Sequence, residues 1–239
     1  MEPARRTSRA ADPEARLTRS TRPLRTGEAT IRPDGVLFDL LMAVMDSPAT
    51  WVAAAGDQRA GMAWRDAATA RMIASRSYVA YEELVGDAAG EVGMPPEATR
   101  RLFEGWPEMD PWPDAAAIGH LSIPFGFVTN CSADLARAAA SRSGLTPRFT
   151  LSAEEAGWYK PDARVYHEAC RRLGTPIERT AFVAGSPYDA TGARAAGLRT
   201  WLVARRTEPP RSTLGVTVVS SVGEAIRDLD PASGASPEW

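Results

Sequence analysis

Five short runs rich in β-branched and aromatic residues constrain the fold of this chain most: VLFD (36–39), PFGFVTN (124–130), RTAFVAGS (179–186), LRTWLVA (198–204) and VTVVSS (216–221). Most lead into helical stretches rich in Ala, Arg and Glu. Strands buried on both faces read as near-continuous apolar runs, and their alternation with helices specifies a parallel sheet covered on both sides. The expected fold is α/β, a Rossmann-like parallel-sheet core. One interval breaks the alternation: between 47 and 112 the composition is helical, as in DQRAGMAWRDAATARMIASRSYVAYEELVGDAAGEV, with PP and PWP as later punctuation. This predicts a helical cap over 47–112, inserted after the first strand into a core formed by 31–46 and 113–230.

The ends differ from this body. Residues 1–30 carry Arg5, Arg6, Arg9, Arg16, Arg19, Arg22 and Arg25 with almost no large apolar residue, and PASGASPEW (231–239) is equally unsuited to burial. Both are expected to be disordered tails. Glu2, Asp12, Glu14 and Glu28 dilute the basic stretch, which favours a solvated tail over a targeting or nucleic-acid arm. A net charge of −2 gives no overall field for nucleic acid or an anionic membrane, and no apolar run nears the roughly 18 residues of a membrane span. Cys131 and Cys170 form neither a metal spacing nor a disulfide framework, so a reducing cytoplasm is the expected location.

Ligands of open parallel sheets sit beyond the carboxyl ends of the strands. Polar residues gather there: Asp39 closes the first strand, Thr129 and Asn130 the second, and FVAGSPYD ends in Ser186 and Asp189. Each could equally cap a helix or make a turn; several around one edge favour a site. Lys160, in GWYKPD, is the only lysine beside 27 arginines. A compact ammonium retained at this one loop position points to a required point charge.

FDLLMAVMD, FVTN, YKPDARVY and VAGSPYDATGARAAGL, in that order, resemble the four motifs of the haloacid dehalogenase superfamily. Most members of that superfamily resemble Mg²⁺-dependent phosphatases, which keep a second acid two residues after the nucleophile and an acidic pair in the last motif. Here Leu41 and Gly185 stand at two of those places. A hard dication wants several oxygen ligands, so no metal or other cofactor is expected. The resemblance is instead to the metal-independent branch of L-2-haloacid dehalogenases. It implies Asp39 as nucleophile, Lys160 as the group that keeps it ionised, and Asp189, helped by Ser186, as the residue that positions the hydrolytic water. It further implies substrate contacts from Arg65 (in AWRDA), Thr129, Asn130 and Tyr166, a small carboxylate substrate, and a homodimer.

The first motif departs from those dehalogenases. An aromatic, a glycine and a threonine are replaced by Leu41, Met42 and Ala43, a pattern similar to L-azetidine-2-carboxylate hydrolase. Met42, Met45, Trp51, Trp64, Tyr78 and Tyr81 would suit the cationic leaving group of a ring-opening reaction. On sequence alone the azetidine reading stands ahead of (S)-2-haloacid dehalogenation. A binding protein of the same fold, without catalysis, is a third reading, opposed by the joint retention of Asp39, Lys160 and Asp189.

Overall fold

The computed structural model describes residues 32–205 and 215–231. The segment 1–30 lies outside the described residues, as does 231–239 apart from Pro231. The five anticipated strands form as β1 (Gly35–Asp39), β2 (Phe125–Thr129), β4 (Thr180–Ala184), β5 (Arg199–Val203) and β6 (Val216–Val219). A sixth, β3 (Thr150–Ser152), was not anticipated: three residues are too short for a periodicity to show. All pair in parallel, in the order β3-β2-β1-β4-β5-β6.

Alternation of side chains across the strands builds two cores. Val36 and Phe38 point to one face, where they join Phe127, Val183 and Trp201 against α5 (Ala133–Arg142) and α9 (Val222–Leu229). Leu37, Val128, Phe182 and Leu202 point to the other, against α7 (Ala163–Leu173), which follows the single turn α6 (Ala153–Ala156), and α8 (Pro187–Ala195). Burial on both faces accounts for the uninterrupted apolar character of β1 and β4.

Four α-helices lie between β1 and β2: α1 (Ser47–Ala55), α2 (Gln58–Ala74), α3 (Tyr81–Glu91) and α4 (Pro96–Glu104). Asp46 and Asp57 cap the first two by accepting from the amides of Ala49 and Ala60. Gly56, with φ of 76°, makes the left-handed reversal between them. The two helices then cross closely enough that a Cβ on Gly61 would lie 2.8 Å from the Cα of Val52. Trp51 and Trp64 meet edge to face at 4.8 Å, and the Trp64 indole donates to the Val85 carbonyl at 2.9 Å. The two chain passages joining this insertion to the sheet run side by side, through a bridge between Met45 and Pro111 and a 2.9 Å bond from the Asp46 amide to the Asp110 carbonyl.

Immediately after β1 the chain makes a single π-helical turn, Leu40–Val44, closed by the Met45 amide on the Leu40 carbonyl at 2.8 Å. Leu40, Leu41, Ala43 and Val44 are buried in it, which explains why the sequence stays apolar beyond Asp39.

Glycines in α8 and α3 allow a paired test of packing. A Cβ on Gly192 would lie 2.3 Å from the Cβ of Pro161 and 2.9 Å from the Tyr166 hydroxyl, whereas one on Gly86 meets nothing within 4 Å. Gly192→Ala is expected to cost about 1–3 kcal/mol through overpacking. Gly86→Ala should gain about 0.5–1 kcal/mol from helix propensity. Melting temperatures measured side by side should therefore move in opposite directions from wild type.

Candidate active site

The strand order reverses direction between β1 and β4, and the residues that leave these strands meet there. Asp39 ends β1. Gly185 follows β4, and its amide points to Asp39 Oδ2 at 3.4 Å. The approach is close: a Cβ on Gly185 would fall 2.3 Å from the Met42 carbonyl carbon and 2.4 Å from the Ala43 nitrogen. Glycine is required here by proximity of two backbones, not by an unusual φ.

Lys160 supplies the central charge. Its Nζ donates to Asp39 Oδ1 at 3.0 Å, to Asp189 Oδ2 at 2.6 Å and to the Val128 carbonyl at 3.2 Å, and the side chain is fully buried. Three acceptors satisfy its three protons. Burial opposes the charged form, yet the negative charges of Asp189 and Asp39 outweigh it and raise the Lys160 pKa above its ordinary value. Asn130 fixes the lysine backbone from both sides, its Oδ1 accepting from the Lys160 amide at 2.7 Å and its Nδ2 donating to the Lys160 carbonyl at 2.9 Å.

Asp189, in the first turn of α8, has no access to solvent. Tyr166 donates to its Oδ1 at 2.6 Å, so Lys160 and Tyr166 hold its two oxygens. Burial pushes its pKa up to about 6; Lys160 pulls against that shift and Asp39 adds to it. Two carboxylates share one ammonium.

A small cavity of about 30 Å³ opens onto Asp39. Its walls include Arg65, Thr69 and Met72 of α2, Trp51 of α1, Tyr81 of α3, Asn130, and Tyr188 of α8. Arg65 is mostly buried, makes a 3.4 Å ion pair with the exposed Asp66, and is the cation among the residues that line the cavity with Asp39.

The expected site residues separate into groups. Asp39, Arg65 and Asn130 line the cavity, with Lys160 and Asp189 directly behind Asp39. Tyr166 sits deeper, against Asp189, and is off the cavity wall. Thr129 is fully buried with its hydroxyl 3.5 Å from the Cys131 sulfur. The Ser186 hydroxyl is buried without a hydrogen-bond partner, beside but not on the wall. Thr69 and Met72 were missed, although their spacing of four and seven residues from Arg65 places all three on one helix face. Ser47, which donates to the Met42 sulfur at 3.6 Å, was also missed.

The donor set does not fit a divalent cation. Leu41 offers no oxygen, Gly185 has no room for a side chain, and Asp39 and Asp189 are both already paired with Lys160. Among the described residues no group of three or more His, Cys, Asp or Glu side chains could hold a metal. No described helix is long and apolar enough to cross a membrane.

The (S)-2-haloacid dehalogenase 4A of Burkholderia cepacia is 32% identical over 116 residues, 46% of this chain and 50% of that protein. The (S)-2-haloacid dehalogenase 1 of Pseudomonas sp. strain CBS-3 is 34% identical over 116 residues, 46% of this chain and 51% of that protein. The chain thus spans about half the length of the curated relatives it matches. In fold it is similar to the L-2-haloacid dehalogenase from Xanthobacter autotrophicus with chloropropionic acid covalently bound, with a TM-score of 0.71 at 19% identity over 85% of this chain and 100% of that one. A crystallised dehalogenase with intermediate complex gives a TM-score of 0.72 at 22% identity, over 82% of this chain and 96% of that one. The model for haloacid dehalogenase-like hydrolases matches residues 34–197, and the chain belongs to that family.

Proposed function

We propose that this protein is a metal-independent hydrolase that displaces the C2 substituent of a small carboxylate through an ester on Asp39. The observation that carries the reading is the Lys160 ammonium held between Asp39 and Asp189 at the edge of a cavity walled by Arg65. An oxygen of Asp39 attacks C2 from the side opposite the leaving group. The C–O bond forms as the C–X bond breaks, and configuration at C2 inverts. Lys160 pairs with the nucleophile at 3.0 Å and aims it, and Arg65 holds the substrate carboxylate or receives the departing anion. Water then adds to the ester carbonyl of Asp39, giving one proton to Asp189; the acyl–oxygen bond breaks, the departing alkoxide takes that proton and leaves as a 2-hydroxy acid, and Asp39 loses the water's other proton to solvent.

The substrate that fits best is an (S)-2-haloalkanoate, the class named for the two curated relatives. A guanidinium on the wall suits a substrate and leaving group that are both anionic. This reverses the order expected from the first motif alone. Opening of L-azetidine-2-carboxylate is the second reading, favoured by Trp51, Tyr81, Tyr188 and the Met42 thioether on the same walls, which suit an ammonium leaving group.

Incubation with (S)-2-chloropropionate, L-azetidine-2-carboxylate and p-nitrophenyl phosphate should show turnover of one of the first two, unchanged by chelator, and none of the phosphate. Phosphate release that a chelator abolishes would refute the metal-free reading. Asp39→Asn should abolish turnover with the fold intact by circular dichroism. In a single turnover with excess enzyme in ¹⁸O-water, label is expected first in the Asp39 side chain; direct entry into product would show that water attacks C2 itself.

Because the hydrolytic step needs Asp189 ionised, kcat should rise with pH through an apparent constant near 6. The alkaline limb should lie above the ordinary lysine range, since the two carboxylates raise the Lys160 pKa. An acid limb near 4 in the kcat profile would contradict the assignment of Asp189 as proton acceptor.

A further inference from the structure

The π turn that follows Asp39 is held from outside. In an α-helix, successive carbonyls are taken by amides of the same segment; in this five-residue turn, three successive ones are taken by groups far along the chain. The Trp112 indole donates to the Met42 carbonyl at 3.1 Å and the Trp112 amide to that of Val44 at 2.9 Å. Between them, Arg205 Nη2 donates to the Ala43 carbonyl at 2.6 Å.

Arg205 is itself fixed on three sides. Its Nη1 pairs with Asp114 Oδ1 at 2.6 Å, and its guanidinium lies over the Trp112 ring at 4.7 Å from the centroid. The second oxygen of Asp114 accepts from the Val222 amide at 2.7 Å, which ties the pair to the start of α9. The side chain is nearly inaccessible to solvent. A planar cation that donates in two directions while stacking on an aromatic face is a task lysine cannot perform.

We propose that Arg205 is a positioning residue for the nucleophile: through the Ala43 carbonyl and the Trp112 ring it sets the path of the turn that directly follows Asp39 and walls its cavity. The consequence reaches both walls of the site. Leu41 and Met42 line the cavity from this turn, and the Met42–Ala43 peptide packs on Gly185, whose amide faces Asp39. The same turn runs into the paired passages at Met45–Asp46 and Asp110–Pro111 that bear the inserted helices. Arg205 therefore references the nucleophile, the Gly185 backbone and the base of the Arg65-bearing insertion to one frame. The kinetic part of this inference rests on Asp39 acting as the attacking group; the structural part does not.

The test uses the full chain as wild type, Arg205→Met, Arg205→Lys and Trp112→Phe, the last keeping a stacked ring while removing the indole donor. Hydrogen exchange at the Met45, Asp46 and Trp112 amides, which close the turn and its passages, should be at least about tenfold faster in Arg205→Met, with β4 unchanged. With whichever substrate the wild type turns over, kcat should fall about a hundredfold while KM stays within about threefold, because misplacement of a reacting atom is felt in the transition state more than in binding. Arg205→Lys should recover less than a tenth of the lost kcat, and Trp112→Phe should lie between it and wild type. Unchanged exchange in Arg205→Met, or full activity in Arg205→Lys, would overturn the proposal, as would a loosened turn with unaltered kcat. If Arg205→Met does not fold, the lysine and Trp112→Phe variants decide by the same two readouts. A wild type inert toward every substrate would count against the hydrolase reading alone, since the exchange data still decide whether the clamp exists.

Discussion

The site depends on one buried ammonium between two buried carboxylates. Removing these charges from water carries a desolvation cost of several kcal/mol per ion, which is offset only where geometry is good and the remaining hydrogen-bonding capacity is used. Here it is used. All three Lys160 protons have acceptors, Tyr166 takes an oxygen of Asp189, and the lysine backbone is locked by Asn130. The cluster still carries two negative charges against one positive, and this asymmetry has a chemical use. Asp189, the more deeply buried partner, is driven toward the pKa of a general base that can both accept and release a proton near neutrality, while Asp39 sits at the cavity with the ammonium beside it.

That arrangement follows from the sheet. Adjacent parallel strands β1 and β4 present Asp39 and Gly185 side by side at the point where the strand order turns, and the π turn swings back over β4. The turn leaves so little room above Gly185 that no acid could stand there without displacing the Met42–Ala43 backbone. The space in which another hydrolase would place a metal-binding carboxylate is thus filled by main chain. The charge a dication would bring is supplied instead by Lys160, reaching in from the loop before α7.

How much of this was legible in sequence depended on how local its cause was. Strands β1, β2, β4 and β5 were readable because burial on both faces writes itself as an apolar run, the edge strand β6 because its residues are β-branched, and Lys160 stood out because it has no rival in composition. β3 was not, since an edge strand of three residues leaves no pattern. Tyr166 was expected to meet substrate but bonds to Asp189, a distinction fixed by which face of α7 packs on α8. Met72 and Thr69 would have followed from Arg65 by helical spacing, given that α2 covers the nucleophile. Trp112, Asp114 and Arg205 carried no signal at all: Arg205 lies 91 residues beyond Asp114 in the chain, and the three acquire a role only through the bonds made when those segments meet.

The position of the insertion gives the chain order a functional logic. A helical layer placed between β1 and β2 must leave and re-enter the sheet beside the end of β1, so its two passages are the immediate neighbours of Asp39. Any movement that admitted substrate past Arg65, Trp51 and Tyr81 would pivot where misplacing the nucleophile is easiest. Moving parts therefore need a fixed reference at their base, and the Trp112 and Arg205 bonds to the π turn provide one. Such a division places the Arg65 cation on the inserted helices and Asp39 with its counter-charge at the sheet, so the buried ion cluster does not depend on the inserted helices for its bonds. The cluster is costly to assemble and is best assembled once, during folding.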